Sequence, residues 1–194
     1  MNNKKTLILL SGGLDSVCLL HYLKATGENL EAVHLEYGAN HCKQEKAFAT
    51  QHAKDLGVPF GVVKLPKLQG SRLTGGAGNW VVPARNSVFL SIAANIAEAR
   101  GCAFIAYGSN ADDAAGFPDC TAEWVGAFNM QLAASALMVR LVAPFLTLTK
   151  RQLVYFTQKV APGAAIEKSW SCYEGTGKPC GKCPACEKRQ EALR

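Results

Sequence analysis

The stretch LILLSGGLDSVCLL, residues 7–20, runs apolar sequence into two glycines and an aspartate between serines, then returns at once to apolar sequence. Residues 6–10 are short, apolar and β-prone, while Val17, Leu20 and Leu23 recur at helical spacing up to Gly27. The reading is strand, glycine turn, helix. Glycines allow a tight turn and let backbone amides approach a ligand, and the helix start adds unpaired N–H groups and the positive end of its dipole. Such a turn is an anion site, here formed by Ser11, Gly12, Gly13, Leu14, Asp15 and Ser16. It lacks the lysine of GxxxxGK[ST] and the spacing of GxGxxG, so neither of those nucleotide loops is present.

The alternation continues outward from that turn. Residues 30–35, 60–65, 103–107 and 139–143 read as strands, and residues 43–56, 86–100 and 123–136 as the helices between them. Thr149 caps a last helix to about residue 159, with Gln152 in the capping-box position. The pattern predicts an α/β fold, a doubly wound parallel sheet of about five strands, with ligands at the carboxyl ends of the strands. The unusual loops all follow strands, and the longest, residues 66–84, is rich in Gly, Pro and Ser and predicts a mobile lid or substrate loop.

A chain of 194 residues that is 48% hydrophobic can bury one sizeable core. The division expected is a main domain over residues 1–166 and a small tail over 167–194. The net charge of +6 comes from 21 basic and 15 acidic residues scattered along the chain. No basic stripe interleaved with aromatics appears, so nucleic acid is not expected as a partner, and anionic small molecules fit the charge equally well. No export signal or membrane-length apolar run is present, which predicts a cytoplasmic protein with no membrane contact.

Eight cysteines occur, four of them as Cys172, Cys180, Cys183 and Cys186 in the spacing C-x7-C-x2-C-x2-C. Two overlapping CxxC steps and a fourth thiolate nearby suit a tetrahedral structural zinc, against the alternative of free or disulfide-bonded thiols. A closed four-thiolate site leaves zinc no open position for catalysis, so its job would be to pin the tail. Cys18 and Cys102 lie in apolar sequence and read as core residues.

The hexapeptide SGGLDS resembles the SGGxDS loop of the PP-loop ATP pyrophosphatases. Within that group the chain resembles the 7-cyano-7-deazaguanine (preQ0) synthase family of the queuosine pathway. The likeness is carried by EYGANH at 36–41, VPARN at 82–86, GFPDC at 116–120, SWSCY at 169–173 and the cysteine tail. It implies ATP, Mg2+ and Zn2+, with the glycine turn holding ATP phosphates and Asp15 either aiding magnesium or holding the loop. It implies that Arg85 meets nucleotide or substrate charge and that Lys150, after APFLTLT, neutralises the leaving pyrophosphate. Asn86, Asp113, Phe117 and Asp119 would line the substrate pocket, the two aspartates facing an aminopyrimidinone edge, to which a carboxylate can accept two parallel N–H bonds. Trp170 and Tyr173 would pack under the tail or stack a base. The implied reaction adenylates 7-carboxy-7-deazaguanine, lets ammonia form the amide, and spends a second ATP to dehydrate the amide to the nitrile. A homodimer is implied too.

The chain departs from the family pattern. Ala39 and Asn40 stand where YGQRH has a glutamine and an arginine, and Ala115, Phe117 and Thr121 stand where YSGYPDCR has two hydroxyl-bearing residues and an arginine. A less polar pocket would also suit a bulkier amine. Relatives in antiphage operons pass the deazaguanine carboxylate or its product to other acceptors, and such an enzyme would join the activated carboxylate to a protein N-terminus and stop at the amide. A further reading, an ATP-dependent tRNA-modifying PP-loop enzyme, would need a basic RNA-binding extension. A nucleotide-binding module without activity is opposed by Asp15, Arg85 and Lys150.

Overall fold

A computed structural model describes residues 4–194. Five strands, β1 (Lys5–Leu9), β2 (Asn29–Glu36), β3 (Phe60–Lys64), β4 (Phe104–Ala106) and β5 (Arg140–Val142), form one parallel sheet in the order β3-β2-β1-β4-β5. The helices are α1 (Leu14–Ala25), α2 (Cys42–Asp55), α3 (Arg85–Ala99), α4 (Ala111–Ala114), α5 (Ala122–Ala134), α6 (Lys150–Val160) and α7 (Pro184–Ala192). The predicted strands and helices are all present, with ends shifted by one or two residues. Helix α7 is an addition, because Pro184 between two cysteines reads as loop until it is seen to occupy the first helical position.

β1 is central, and its continuous apolar run is what a strand covered on both faces requires. Ile8 and Leu10 pack on one face with α1, α2 and α6, through Val17, Leu20, Ala49, Ala53 and Leu153. Leu7 packs on the other face with α3 and α5, through Leu90, Ala93, Phe128 and Leu132. Each such buried side chain contributes about 1.5–3 kcal/mol of transfer free energy. The sequence suggests one apolar stripe on α1, but Val17, Cys18, Leu19 and Leu20 are all fully buried, because α6 lies over the helix side that would otherwise face solvent. Cys102 is also in the core.

From β1 the chain moves outward through β2 to β3, then returns to place β4 and β5 on the opposite side of β1. The order therefore reverses between β1 and β4, and their carboxyl ends diverge into a crevice. The glycine turn lies at one lip and the loop after β4 at the other. No helix among the described residues is long and apolar enough to cross a membrane.

Candidate functional site

The crevice holds a cavity of about 470 Å³ whose lining includes Ser11, Gly13, Asp15, Arg85, Asn86 and Lys150. Its floor is the glycine turn. Gly12 has φ +89°, and a Cβ there would lie 2.1 Å from the Glu45 carbonyl oxygen, so only glycine fits beside α2. Ser16 Oγ takes the Gly12 N–H at 3.2 Å and donates to the Gly13 carbonyl at 3.0 Å, while the Gly13 N–H donates to Ser11 Oγ at 3.1 Å. The serines thus hold the turn in shape. Gly13 caps α1 with no side-chain acceptor, leaving first-turn amides and the helix dipole facing the cavity. Leu14 is buried in the core, so what it can offer a ligand is its backbone.

Lys150 opens α6 after the predicted capping box, in which Thr149 and Gln152 bond reciprocally. Its Nζ lies 2.6 Å from Asp15 Oδ2 and 4.0 Å from Asp113 Oδ2, and its N–H donates to Asp112 Oδ2 at 2.7 Å. Burial pulls the Lys150 ammonium down, but Asp15 and Asp113 outweigh it and hold it above its usual value. Burial likewise raises the Asp15 carboxyl, against the pull of Lys150. Asp15 Oδ1 is buried with no hydrogen-bond partner among the described residues.

Arg85 enters the cavity at the start of α3, directly after Ala84, which takes the left-handed conformation at φ +53°. An alanine there is strained by about 1 kcal/mol, and the strain turns the chain from the loop into the helix. Arg85 lies beside Tyr37, Glu45 and Tyr173. Sequence reading missed Glu45. Its Oε2 is 3.6 Å from His41 Nε2, and burial pushes its carboxyl up to about 8 against the pull of Arg85. His41, the last residue of the EYGANH motif, is pushed down to about 4 by burial and by Arg85. A glutamate four residues after that histidine, on the same helical face, was the available signal.

A smaller chamber of about 260 Å³ opens beside the first, with Asp119 and Trp124 in its wall, while Trp80, Phe117, Tyr173 and Arg85 line both. The two aspartates assigned to one substrate edge are therefore separated. Asp113 belongs to the larger chamber, where Asn110 Nδ2 donates to it at 2.8 Å and Lys150 and Lys188 flank it, whereas Asp119 faces the smaller one. Residues 66–84 are anchored by the buried side chains of Ser71, Leu73, Thr74 and Val82 and are otherwise mostly exposed. Leu73 and Val82 are buried with Tyr37 and Ala39, and the Arg72 guanidinium sits 4.3 Å over the Trp80 ring.

The departures from the family pattern have local uses here. Asn40 is exposed and its side chain donates to the Arg72 carbonyl at 2.9 Å, tying down that segment. Thr121 caps α5 by accepting from the Trp124 N–H at 3.3 Å, and Ala115 is exposed. Phe117 does line both chambers.

The sulfurs of Cys172, Cys180, Cys183 and Cys186 all lie within 4.8 Å of one another, a group able to hold a metal ion. Trp170 packs here against Phe48, donating Nε1–H to the Cys172 carbonyl at 2.7 Å, while Tyr173 reaches the chambers and packs against Trp80. The Trp170 N–H also donates to the Gly12 carbonyl at 2.8 Å, so the tail braces the glycine turn. Gly175 closes the contact, since a Cβ there would lie 2.3 Å from the Asn40 carbonyl oxygen.

Comparison with known proteins agrees with this geometry. A family model described as "Queuosine biosynthesis protein QueC" matches residues 5–194. A 7-cyano-7-deazaguanine synthase of Agrobacterium fabrum is 37% identical over 210 residues, covering 97% of this chain and 87% of the relative. One from Prochlorococcus marinus is 33% identical, covering 100% and 95%. Among solved structures, the U34-tRNA thiolase NcsA from Methanococcus maripaludis, described with its [4Fe-4S] cluster, superposes with TM-score 0.61 at 18% identity, covering 99% of this chain and 64% of that one. That likeness supports the PP-loop fold alone. With SGGLDS at the switch point of such a sheet and sequence similarity along nearly its whole length, the chain belongs to the QueC family of queuosine biosynthesis proteins.

Proposed function

We propose that this chain uses ATP to activate the carboxylate of 7-carboxy-7-deazaguanine as an acyl-adenylate, amidates it with ammonia, and dehydrates the amide to 7-cyano-7-deazaguanine. The observation that carries the proposal is the uncapped N-terminus of α1 on a glycine turn, facing the buried Lys150, at the switch point of the sheet. The turn amides bind the phosphates. Lys150 stabilises the charge that develops as pyrophosphate leaves, in a site that needs no reorganisation to do so. The buried, unpartnered Asp15 Oδ1 fits a Mg2+ ligand, and the ion would supply charge neutralisation at the phosphates.

The aromatic chamber takes the base, with Asp119 accepting N–H bonds from its aminopyrimidinone edge and Trp80, Phe117, Trp124 and Tyr173 covering the ring. Arg85, common to both chambers, orients the carboxylate toward the α-phosphate. A carboxylate oxygen attacks that phosphorus and pyrophosphate departs. Ammonia then adds to the acyl carbon and, after losing a proton, expels AMP. In the second round the amide oxygen attacks the α-phosphorus of a second ATP, pyrophosphate departs, and loss of AMP and of both nitrogen protons leaves the nitrile. Positioning and fixed charge do the work, with no covalent enzyme nucleophile. The four clustered thiols, with the Cys180 N–H donating to Cys172 Sγ at 3.3 Å, fit a structural zinc that would pin the tail beneath the glycine turn.

The test is mass spectrometry of purified protein with 7-carboxy-7-deazaguanine, ATP, magnesium and ammonium, following pyrophosphate, AMP and the deazaguanine product together. Nitrile appearing with AMP is the expected result. AMP without nitrile would confine the activity to amide formation, and absence of pyrophosphate would overturn the substrate assignment.

A further inference from the structure

We propose that Lys188 is a second phosphate-binding cation, carried into the nucleotide site by the helix that the cysteine cluster anchors. The proposal rests on the reading of the larger chamber as an ATP site. Four charges of alternating sign run from the glycine turn to the tail: Asp15 to Lys150 at 2.6 Å, Lys150 to Asp113 at 4.0 Å, and Asp113 to Lys188 at 3.5 Å. They join α1, α6, α4 and α7, which are remote in sequence. Lys188 also donates to the Asp112 carbonyl at 3.3 Å and lines the chamber.

Magnitudes separate Lys188 from its neighbours. Lys150 is mostly buried, with side-chain exposure of 13%, and lies close to Asp15, so much of its charge is already matched. A triphosphate brings several negative charges, more than one paired lysine can neutralise. Arg189 is occupied with the tail itself, its Nη1 donating to Ser169 Oγ and its Nη2 to the Glu167 carbonyl, both at 2.5 Å. Lys188 is different. Its side chain is 44% exposed, and an ion pair so open to water contributes little, so it gives up Asp113 for a phosphate at small cost.

Its position is set by the cysteine cluster. Cys183 caps α7 and Cys186 lies in its first turn, so the helix that carries Lys188 begins between two of the clustered thiols. The tail therefore contributes charge to the chemistry as well as a brace beneath the turn.

The experiment measures binding of α,β-methylene-ATP and of AMP by calorimetry on the full chain, unsubstituted and as Lys188→Ala, Lys188→Arg and Lys150→Ala, with zinc content determined for each. The expected result is a Kd for the ATP analogue raised about five- to tenfold in Lys188→Ala, with AMP affinity and zinc content unchanged and most of the loss recovered in Lys188→Arg. An unchanged Kd for the analogue would overturn the proposal, as would equal weakening of AMP, which would mark Lys188 as a structural clasp. Failure of the unsubstituted chain itself to bind the analogue would overturn the ATP reading and this proposal with it. A chain that binds the analogue and loses it in Lys150→Ala but not in Lys188→Ala would overturn this proposal alone.

Discussion

The larger chamber has the glycine turn, Asp15, Glu45 and Lys150 in its lining and the smaller has Asp119 and Trp124, while Trp80, Phe117, Tyr173 and Arg85 line both. One is built to hold fixed charge in low dielectric. The other offers flat apolar surface with a polar point, as base recognition requires. Arg85 alone among the proposed catalytic residues lines both, at the junction where the proposed reaction needs its carboxylate. On the proposed function the difference divides charge handling from base recognition, so substitutions in each chamber should move different constants.

The largest effect belongs to the charged chamber. Lys150→Ala removes the partner of buried Asp15 and the cation at the departing pyrophosphate, and kcat, read as pyrophosphate release, should fall about a hundred- to a thousandfold. A loss of only a few fold would mean that Lys150 serves the fold and not the phosphates. Next comes the aromatic chamber. Asp119→Asn presents an N–H group to a donor edge, so KM for the deazaguanine carboxylate should rise about ten- to a hundredfold while KM for ATP stays fixed. A rise in both would erase the distinction between the chambers.

At neutral pH the smallest effect comes from the packing behind the glycine turn. His21 on α1 meets His52 on α2, Nε2 to Nδ1, at 3.0 Å, and His52 Nε2 contacts the Lys168 carbonyl at 2.5 Å. Burial and the neighbouring His52 lower His21 from an ordinary 6.5 to about 4. The folded state then refuses a proton that the unfolded chain accepts. Stability should be full above about pH 6.5 and fall toward pH 4 by about 1.4 kcal/mol per pH unit from this one residue. Thermal melts across that range should show a shallower slope in His21→Gln than in the unsubstituted chain. Equal slopes would place the acid sensitivity elsewhere, beginning with His41 in the charged chamber, which burial lowers to a similar value.

What sequence alone determined is whatever depends on neighbours along the chain. The order of strands and helices, the glycine turn, the capping box at Thr149 and the four-cysteine cluster all have short-range causes: hydrophobic period, the absence of a Cβ, a hydroxyl at a helix start, ligand spacing. Tertiary structure alone decided the rest. It separated Asp113 from Asp119, only six positions apart, because Asp113 sits in α4 and Asp119 in a separate 3-10 turn at Pro118–Cys120. It set Ala84 in a left-handed conformation that no alanine prefers, turned Asn40 away to clasp residue 72, and brought Glu45 and Lys188 to the larger chamber from two helices far apart in sequence. The physical reason is that charge pairing and desolvation act through space. A carboxylate acquires its role when burial and a distant partner act on it together, and neither is written in the residues beside it.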